Sequence, residues 1–356
     1  MKNVYDLHVH YYLFDLSVEE RVKIFKEEFL QTKTEKFCFS SLPHHVHEGK
    51  ITIDKSQNLI GLFLKKSFSP NGYAFAGLEH PLAHDDKEKI ADDFLSQAKT
   101  YLKVGFDGIK MLEGYPSLVK RWNLGVDDSV YDKFYSYMQE CGKPILMHIA
   151  NPNVNWDRKN ASEYAIKSGR VYDSSYPTKD ELTAQVFAVM KKFPKLRLIL
   201  AHFGFFSVEK HNAEKFLSYE NTALDLTPGG EQFIKMSENW EKWLEFWQKN
   251  SHRIYYGTDL YAFPKDEKWE ENFMRRPQFL RNFIETDTVH DYVDGKFKGV
   301  LLCEEMQDKI YRENFEKLLG KPSEISVEYL KQTAEKILEE KSVSNLDDVR
   351  YILNNI

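Results

Sequence analysis

Cysteine is scarce in this chain. Cys38, Cys141 and Cys303 are the only three in 356 residues, and they lie far apart. An odd, sparse set excludes a disulfide framework and predicts reduced thiols in a cytoplasm. Each lies in or beside an apolar run, as in Phe37-Cys38-Phe39 and Leu302-Cys303. That setting predicts buried, inert thiols rather than nucleophiles. Long apolar runs are missing as well. None approaches the about 18 residues a spanning helix needs, so no membrane is expected as partner. Met1-Lys2-Asn3-Val4 carries no apolar signal segment. Lys and Arg form no cluster or stripe and the net charge is −6, which argues against nucleic acid as a partner. Gly-rich phosphate loops, tandem repeats and low-complexity segments are also lacking.

What is present is ample apolar residue content, 42% of the chain, enough for one large core. Eight short apolar segments recur, at 3–10, 36–41, 73–79, 105–112, 143–149, 196–202, 222–227 and 253–259. Most are unbroken runs, as parallel strands covered on both faces require. Helical stripes lie between them, such as Val18, Val22, Phe25 and Phe29, or Thr183, Val186, Phe187 and Met190 closed by Phe193-Pro194. Trp240, Trp243, Leu244 and Trp247 read as the buried face of an outer helix. Eight strands alternating with helices predict a closed (β/α)₈ barrel of the TIM type. The expected division is a barrel over 1–320 and a helical C-terminal extension over 321–356. The segments 150–178, after the fifth strand, and 260–300, after the eighth, are long and polar-aromatic. Both follow strand C-termini, where barrel enzymes carry their sites, so both are expected to shape a pocket.

Polar residues gather at the ends of these strands. Asp6-Leu7-His8-Val9-His10 closes the first, and in a strand His8 and His10 share a face, as two ligands of one metal would. Lys110 lies near the end of the fourth strand, His148 ends the fifth, His202 the sixth, Asp225 lies in the seventh and Asp259 ends the eighth. Imidazoles and carboxylates meeting at one barrel mouth make a nitrogen–oxygen site suited to a catalytic Zn²⁺ or a similar divalent ion such as Mn²⁺ or Fe²⁺. A divalent metal lowers the pKa of a bound water towards neutrality. A nearby imidazole moves protons, and Asp259 is placed both to ligate and to accept one.

With these motifs in place, the chain resembles the amidohydrolase superfamily, in particular the amidohydrolase-related group that includes aminocarboxymuconate semialdehyde decarboxylase. The resemblance runs over about residues 3–320. It is carried by Asp6 to His10, Gly108-Ile109-Lys110, Pro144 to His148, Pro194 to Gly204 and Gly257-Thr258-Asp259, with Lys309 to Phe315 similar to the family's closing helix. There an Ala usually follows the Asn; here it is Phe315. The resemblance implies one metal held by His8, His10, His148 and Asp259, with His202 beside the water as proton-transfer residue. In the binuclear branch, Lys110 would be carboxylated and bridge two metals, with His148 and His202 on the second; one metal is the expectation here.

The expected activity is hydrolysis of a C–N or C–O bond in a small cyclic amide, lactone or ester by a metal-activated water. His202 and Asp259 are the catalytic pair, and Lys110, Glu113 and Asp225 are expected at the substrate. The alternatives are non-oxidative decarboxylation of an unsaturated or aromatic acid at the same metal, and a barrel that has lost catalysis and binds a ligand. Weaker expectations of substrate contact fall on His44, His45, His47, His80, His84, Tyr115, Arg121, Arg158, Arg170, Arg275 and Arg276, and on an anion-binding turn at Pro228-Gly229-Gly230. If the chain oligomerises, a homodimer is the default.

Overall fold

The computed structural model describes residues 1–356 except 48–49, 81–85, 229–231, 293–294 and 344. His84 and Gly229-Gly230 therefore lie outside the described residues. Eight parallel strands form one sheet: β1 (Val4–Val9), β2 (Thr34–Ser40), β3 (Gly72–Gly77), β4 (Gly108–Gly114), β5 (Ile145–Ile149), β6 (Leu198–Leu200), β7 (Thr222–Asp225) and β8 (Ile254–Tyr255). Each pairs with the next in chain order. The seam between β8 and β1 is closed by Leu7 N–H to Tyr256 O, Asp259 N–H to His8 O and His10 N–H to Leu260 O, at 3.0, 2.7 and 2.8 Å. The result is the (β/α)₈ barrel expected from the alternation of apolar runs and helical stripes.

Local sequence explains the outer helices. Ser17 and Glu20 form a capping box that starts helix Val18–Thr32, and Thr178 and Glu181 do the same for Lys179–Lys192. In helix Trp240–Asn250, Trp243 and Trp247 are buried as expected, but Leu244 is exposed. Inside the barrel, Leu7, Cys38, Phe75, Leu146 and Ile199 pack together. Phe315, the departure from the family's closing helix, plugs this interior edge-on to Tyr5 and Tyr73. Of the thiols, only Cys38 is buried; Cys141 and Cys303 are exposed, because apolar neighbours in sequence do not fix which face a helix end or loop presents.

Segment 260–300 carries its own structure, helix Trp269–Glu285 and the hairpin Val289–Tyr292/Gly295–Lys298. Pro277 inside that helix disguises it in the sequence. A second hairpin, His44–His47/Lys50–Ile53, follows β2. Beyond residue 320, helices Val327–Glu340 and Leu346–Asn354 bury Leu330, Ala334, Ile337, Val349 and Ile352 in the same apolar cluster as the barrel helices.

At the opposite end from the strand C-termini, Lys65 and Asp107 form a buried ion pair of 2.8 Å. The Lys65 ammonium also donates to Gly105 O and Ser323 O, and Asp107 accepts the N–H groups of Ala74 and Ser323. Lys65→Met removes the cation and strands Asp107. It should cost about 3–5 kcal/mol of stability, the usual result of breaking a buried pair. Urea denaturation checks this; an unchanged midpoint would show the pair to be dispensable.

Candidate metal centre and active site

Between Asp6 and Val9, β1 advances by three residues while β2 advances by two (Asp6↔Phe37, Val9↔Phe39). This bulge aims both Leu7 and His8 into the barrel. The Asp6 carboxylate accepts the N–H groups of His8 and Thr258 at 3.0 and 3.1 Å and the Thr258 hydroxyl. It thereby locks β1 to the Gly257-Thr258-Asp259 segment. A Cβ on Gly257 would lie 2.9 Å from Thr227 Oγ1 and 3.1 Å from His8 Cβ, so the seam closes this tightly only over glycine.

The two ring orientations are set from behind. His8 Nδ1 faces Asp225 Oδ2 at 2.8 Å and Thr227 Oγ1 at 2.9 Å. His10 Nδ1 donates to Ser40 O at 2.8 Å. With both Nδ1–H groups so engaged, both Nε2 atoms present lone pairs, and these converge to 3.0 Å. Neither can donate to the other, so the two lone pairs need a positive partner, which Lys110 Nζ gives His8 Nε2 at 3.0 Å and which a metal ion would give both. Asp259 Oδ1 lies 3.4 Å from His10 Nε2. Among the described residues, His8, His10 and Asp259 form a group whose ligand atoms lie within 4.8 Å of one another. The donor set and its convergence fit a divalent metal. Burial pushes His8 well below its ordinary value and His10 down to about 4, so both imidazoles are neutral, as ligands must be.

Asp259 sits in the left-handed region, φ 55°. Its Oδ2 is bound by Arg276 Nη1 at 2.6 Å, and the same guanidinium nitrogen donates to the Asp259 carbonyl. Burial opposes ionisation of Asp259, but the positive charges beside it, Arg276 foremost, outweigh it and hold its pKa below the usual carboxylate range. With Oδ2 engaged by Arg276, Asp259 turns Oδ1 towards His10 Nε2.

His202 lies past the end of β6 in a left-handed turn, with φ of 54°, 55° and 59° at His202, Phe203 and Gly204. Its backbone N–H donates to Asp225 Oδ1 at 2.7 Å, its ring stacks on Phe205 at 5.2 Å, and its Nδ1 has no partner. His148 lines the same cavity, 4.8 Å between ring centroids from His202. Its Nε2 faces Ala150 O at 3.0 Å, and it stands outside the three-residue group. Lys110 is buried with Nζ 3.0 Å from His8 Nε2, and burial lowers its pKa to about 8.

Asp225 and Glu113 do not line the cavity. Asp225 stands behind the site: one oxygen holds His8, the other the N–H groups of His202 and Thr227. Glu113 turns away from the barrel axis to His80, at 3.2 Å. His80 stacks on Trp122 and donates its N–H to His44, so these two histidines also sit outside the cavity. Asp225→Asn keeps the shape and loses the charge behind His8; metal affinity should fall about 10–100-fold. Competition against a chromogenic chelator measures it, and an unchanged affinity would remove Asp225 from this role.

The cavity is about 720 Å³. Segment 150–178 contributes Asn151, Asn155 and Arg170, and segment 260–300 contributes Tyr261, Arg275, Arg276 and Tyr292. Arg121 and Arg158 are not in its wall. Sequence reasoning missed Tyr12 and Tyr261. Each lies two residues beyond a candidate ligand, His10 and Asp259, and that spacing was the available signal.

The sequence model of the family described as Amidohydrolase matches residues 82–321. The chain belongs to the amidohydrolase family. The matched span holds Lys110, His148, His202, Asp225 and Asp259; His8 and His10 precede it. Among curated proteins, none matches the sequence. Solved structures share the fold. An uncharacterised TIM-barrel protein from Bordetella bronchiseptica aligns with TM-score 0.56 and 12% identity over 89% of this chain and 98% of that one. A 2,6-dihydroxybenzoate decarboxylase from Rhizobium aligns with TM-score 0.53 and 16% identity over 90% and 99%. A 4-oxalomesaconate hydratase from Rhodopseudomonas palustris aligns with TM-score 0.51 and 12% identity over 95% and 99%. Among the described residues, no helix is long and apolar enough to cross a membrane.

Proposed function

We propose that this amidohydrolase is a metal-dependent hydrolase that cleaves a C–N or C–O bond, as in a cyclic amide, lactone or ester, of a small molecule bearing a carboxylate. The observation that carries the reading is the convergence of the His8 and His10 Nε2 lone pairs beside Asp259, inside a cavity whose wall holds Lys110, Arg170 and Arg275. A divalent metal, Zn²⁺ in the first instance, would supply Lewis acidity and an acidified water there. His8, His10 and Asp259 Oδ1 would hold it, with His148 the adjacent imidazole. His202, neutral because of burial and part of the cavity wall, accepts the proton of the attacking water and returns it to the leaving group. Lys110 and the arginines bind the substrate's carboxylate, and the aromatic rings of Tyr12, Tyr115, Phe205 and Tyr261 exclude water around it. The free thiols fit a cytoplasmic location.

The cationic wall also favours a second reading. A carboxylate drawn to Lys110 beside the histidines is the group that non-oxidative decarboxylation releases. Zinc-loaded protein tested on carboxylated lactones, cyclic amides and esters, and in parallel on unsaturated and aromatic acids, separates the two. Ring opening or ester cleavage without carbon dioxide supports hydrolysis. Carbon dioxide release from the acids, with the first panel inert, would replace it.

A further inference from the structure

We propose that Tyr12 is a specificity-determining residue that accepts a hydrogen bond from a hydroxyl or amino group of the substrate. The inference rests on the reading of this cavity as the site of a small carboxylate.

Tyr12 lies two residues past His10, beyond the end of β1, and lines the cavity. Edge-on packing to His10 at 5.7 Å and contact with His45 at 4.3 Å fix the ring's direction. Its hydroxyl lies 3.3 Å from that of Tyr261, which in turn lies 3.3 Å from Asp259 Oδ1. The polarity of this chain follows from its inner end. Asp259 is an ionised partner of Arg276, so Oδ1 can only accept. The Tyr261 proton is therefore directed at Asp259, and the Tyr261 oxygen turns lone pairs to Tyr12. Two sets of lone pairs facing each other would repel, so the Tyr12 proton points to Tyr261. What Tyr12 keeps for the cavity is an acceptor. Ligation of a metal by Asp259 Oδ1 leaves this order intact, since a ligating carboxylate has no proton to give.

The basic side chains of the wall have the opposite character. Lys110, Arg170 and Arg275 carry only donors, so substrate acceptors are drawn to them, and with Asp259 Oδ1 engaged by Tyr261 and Oδ2 by Arg276 a substrate donor beside them is drawn to Tyr12. The structure thus assigns the substrate class: an acid that also carries a hydroxyl or amino group within reach of the metal-binding group.

The test uses the full-length protein loaded with zinc and isothermal titration with benzoate, the three hydroxybenzoates and the three methoxybenzoates. Methylation removes the donor and keeps the oxygen. At least one hydroxybenzoate should bind about tenfold more tightly than its methoxy counterpart, the scale of one neutral hydrogen bond. In Tyr12→Phe the acceptor is gone, and the preference should shrink to within about twofold. Tyr261→Phe is the second variant: it frees the Tyr12 proton, so a methoxy oxygen becomes an equally good partner and the preference should shrink there too. A hydroxyl preference that is absent in the parent protein, or that survives Tyr12→Phe, overturns the proposal while benzoate binding keeps the carboxylate reading. Failure of every benzoate to bind at millimolar concentration overturns the carboxylate reading, and this inference with it.

Discussion

Protein carrying His8→Ala together with His10→Ala should emerge from a chelator-free purification with less than about 0.1 equivalents of divalent metal, and with turnover reduced at least about 10³-fold. The argument starts at the back of the rings. Asp225 and Ser40 O orient the two imidazoles so that both Nε2 lone pairs meet at 3.0 Å. Removing both leaves Asp259, one of whose oxygens already serves Arg276, and a single carboxylate oxygen does not retain a transition metal in competition with water. The loss in rate is that of a Lewis acid supplying several kcal/mol to the transition state, each 1.36 kcal/mol being tenfold. Elemental analysis and turnover on one sample check both parts. Metal retained at parent stoichiometry would place the ligands elsewhere in the barrel.

His202→Ala should behave differently, keeping its metal and losing about 10²–10⁴-fold in kcat, the usual share of a general acid or base. His202 lies outside the group formed by His8, His10 and Asp259. Its backbone is pinned to Asp225 and its ring to Phe205, which holds the imidazole in the cavity wall. If instead His202 ligates a second metal across a carboxylated Lys110, one metal equivalent leaves with the side chain. Full metal content with parent kcat would remove His202 from proton transfer.

The parts of the site that were legible in the sequence are those set by strand periodicity and by motif. His8 and His10 share a face because alternate residues of a strand do. Lys110, His148, His202 and Asp259 could be placed at one mouth because each ends an apolar run and parallel barrel strands end on the same side. Asp225 and Glu113 were expected at the substrate by the same reasoning, and the structure puts both behind the wall. A residue's position along a strand gives its height in the barrel; whether its side chain reaches the cavity depends on bulges and on what stands in front of it. For Asp225 that is the ring of His8, and Glu113 turns outward to His80.

By itself, the sequence determined the barrel, its eight strands and the height at which the candidate metal-binding side chains emerge. These follow from local periodicity: unbroken apolar runs for strands covered on both faces, amphipathic stripes for the helices between them. Tertiary structure alone decided which atoms of those side chains are available. The Asp225 carboxylate behind His8 and the Tyr12–Tyr261 contact join residues far apart in sequence, and Arg276 reaches Asp259 Oδ2 from a separate helix. Hydrogen-bond polarity and lone-pair direction are properties of partners in space. A buried carboxylate or imidazole acquires its role from whichever donor the closed barrel brings against it.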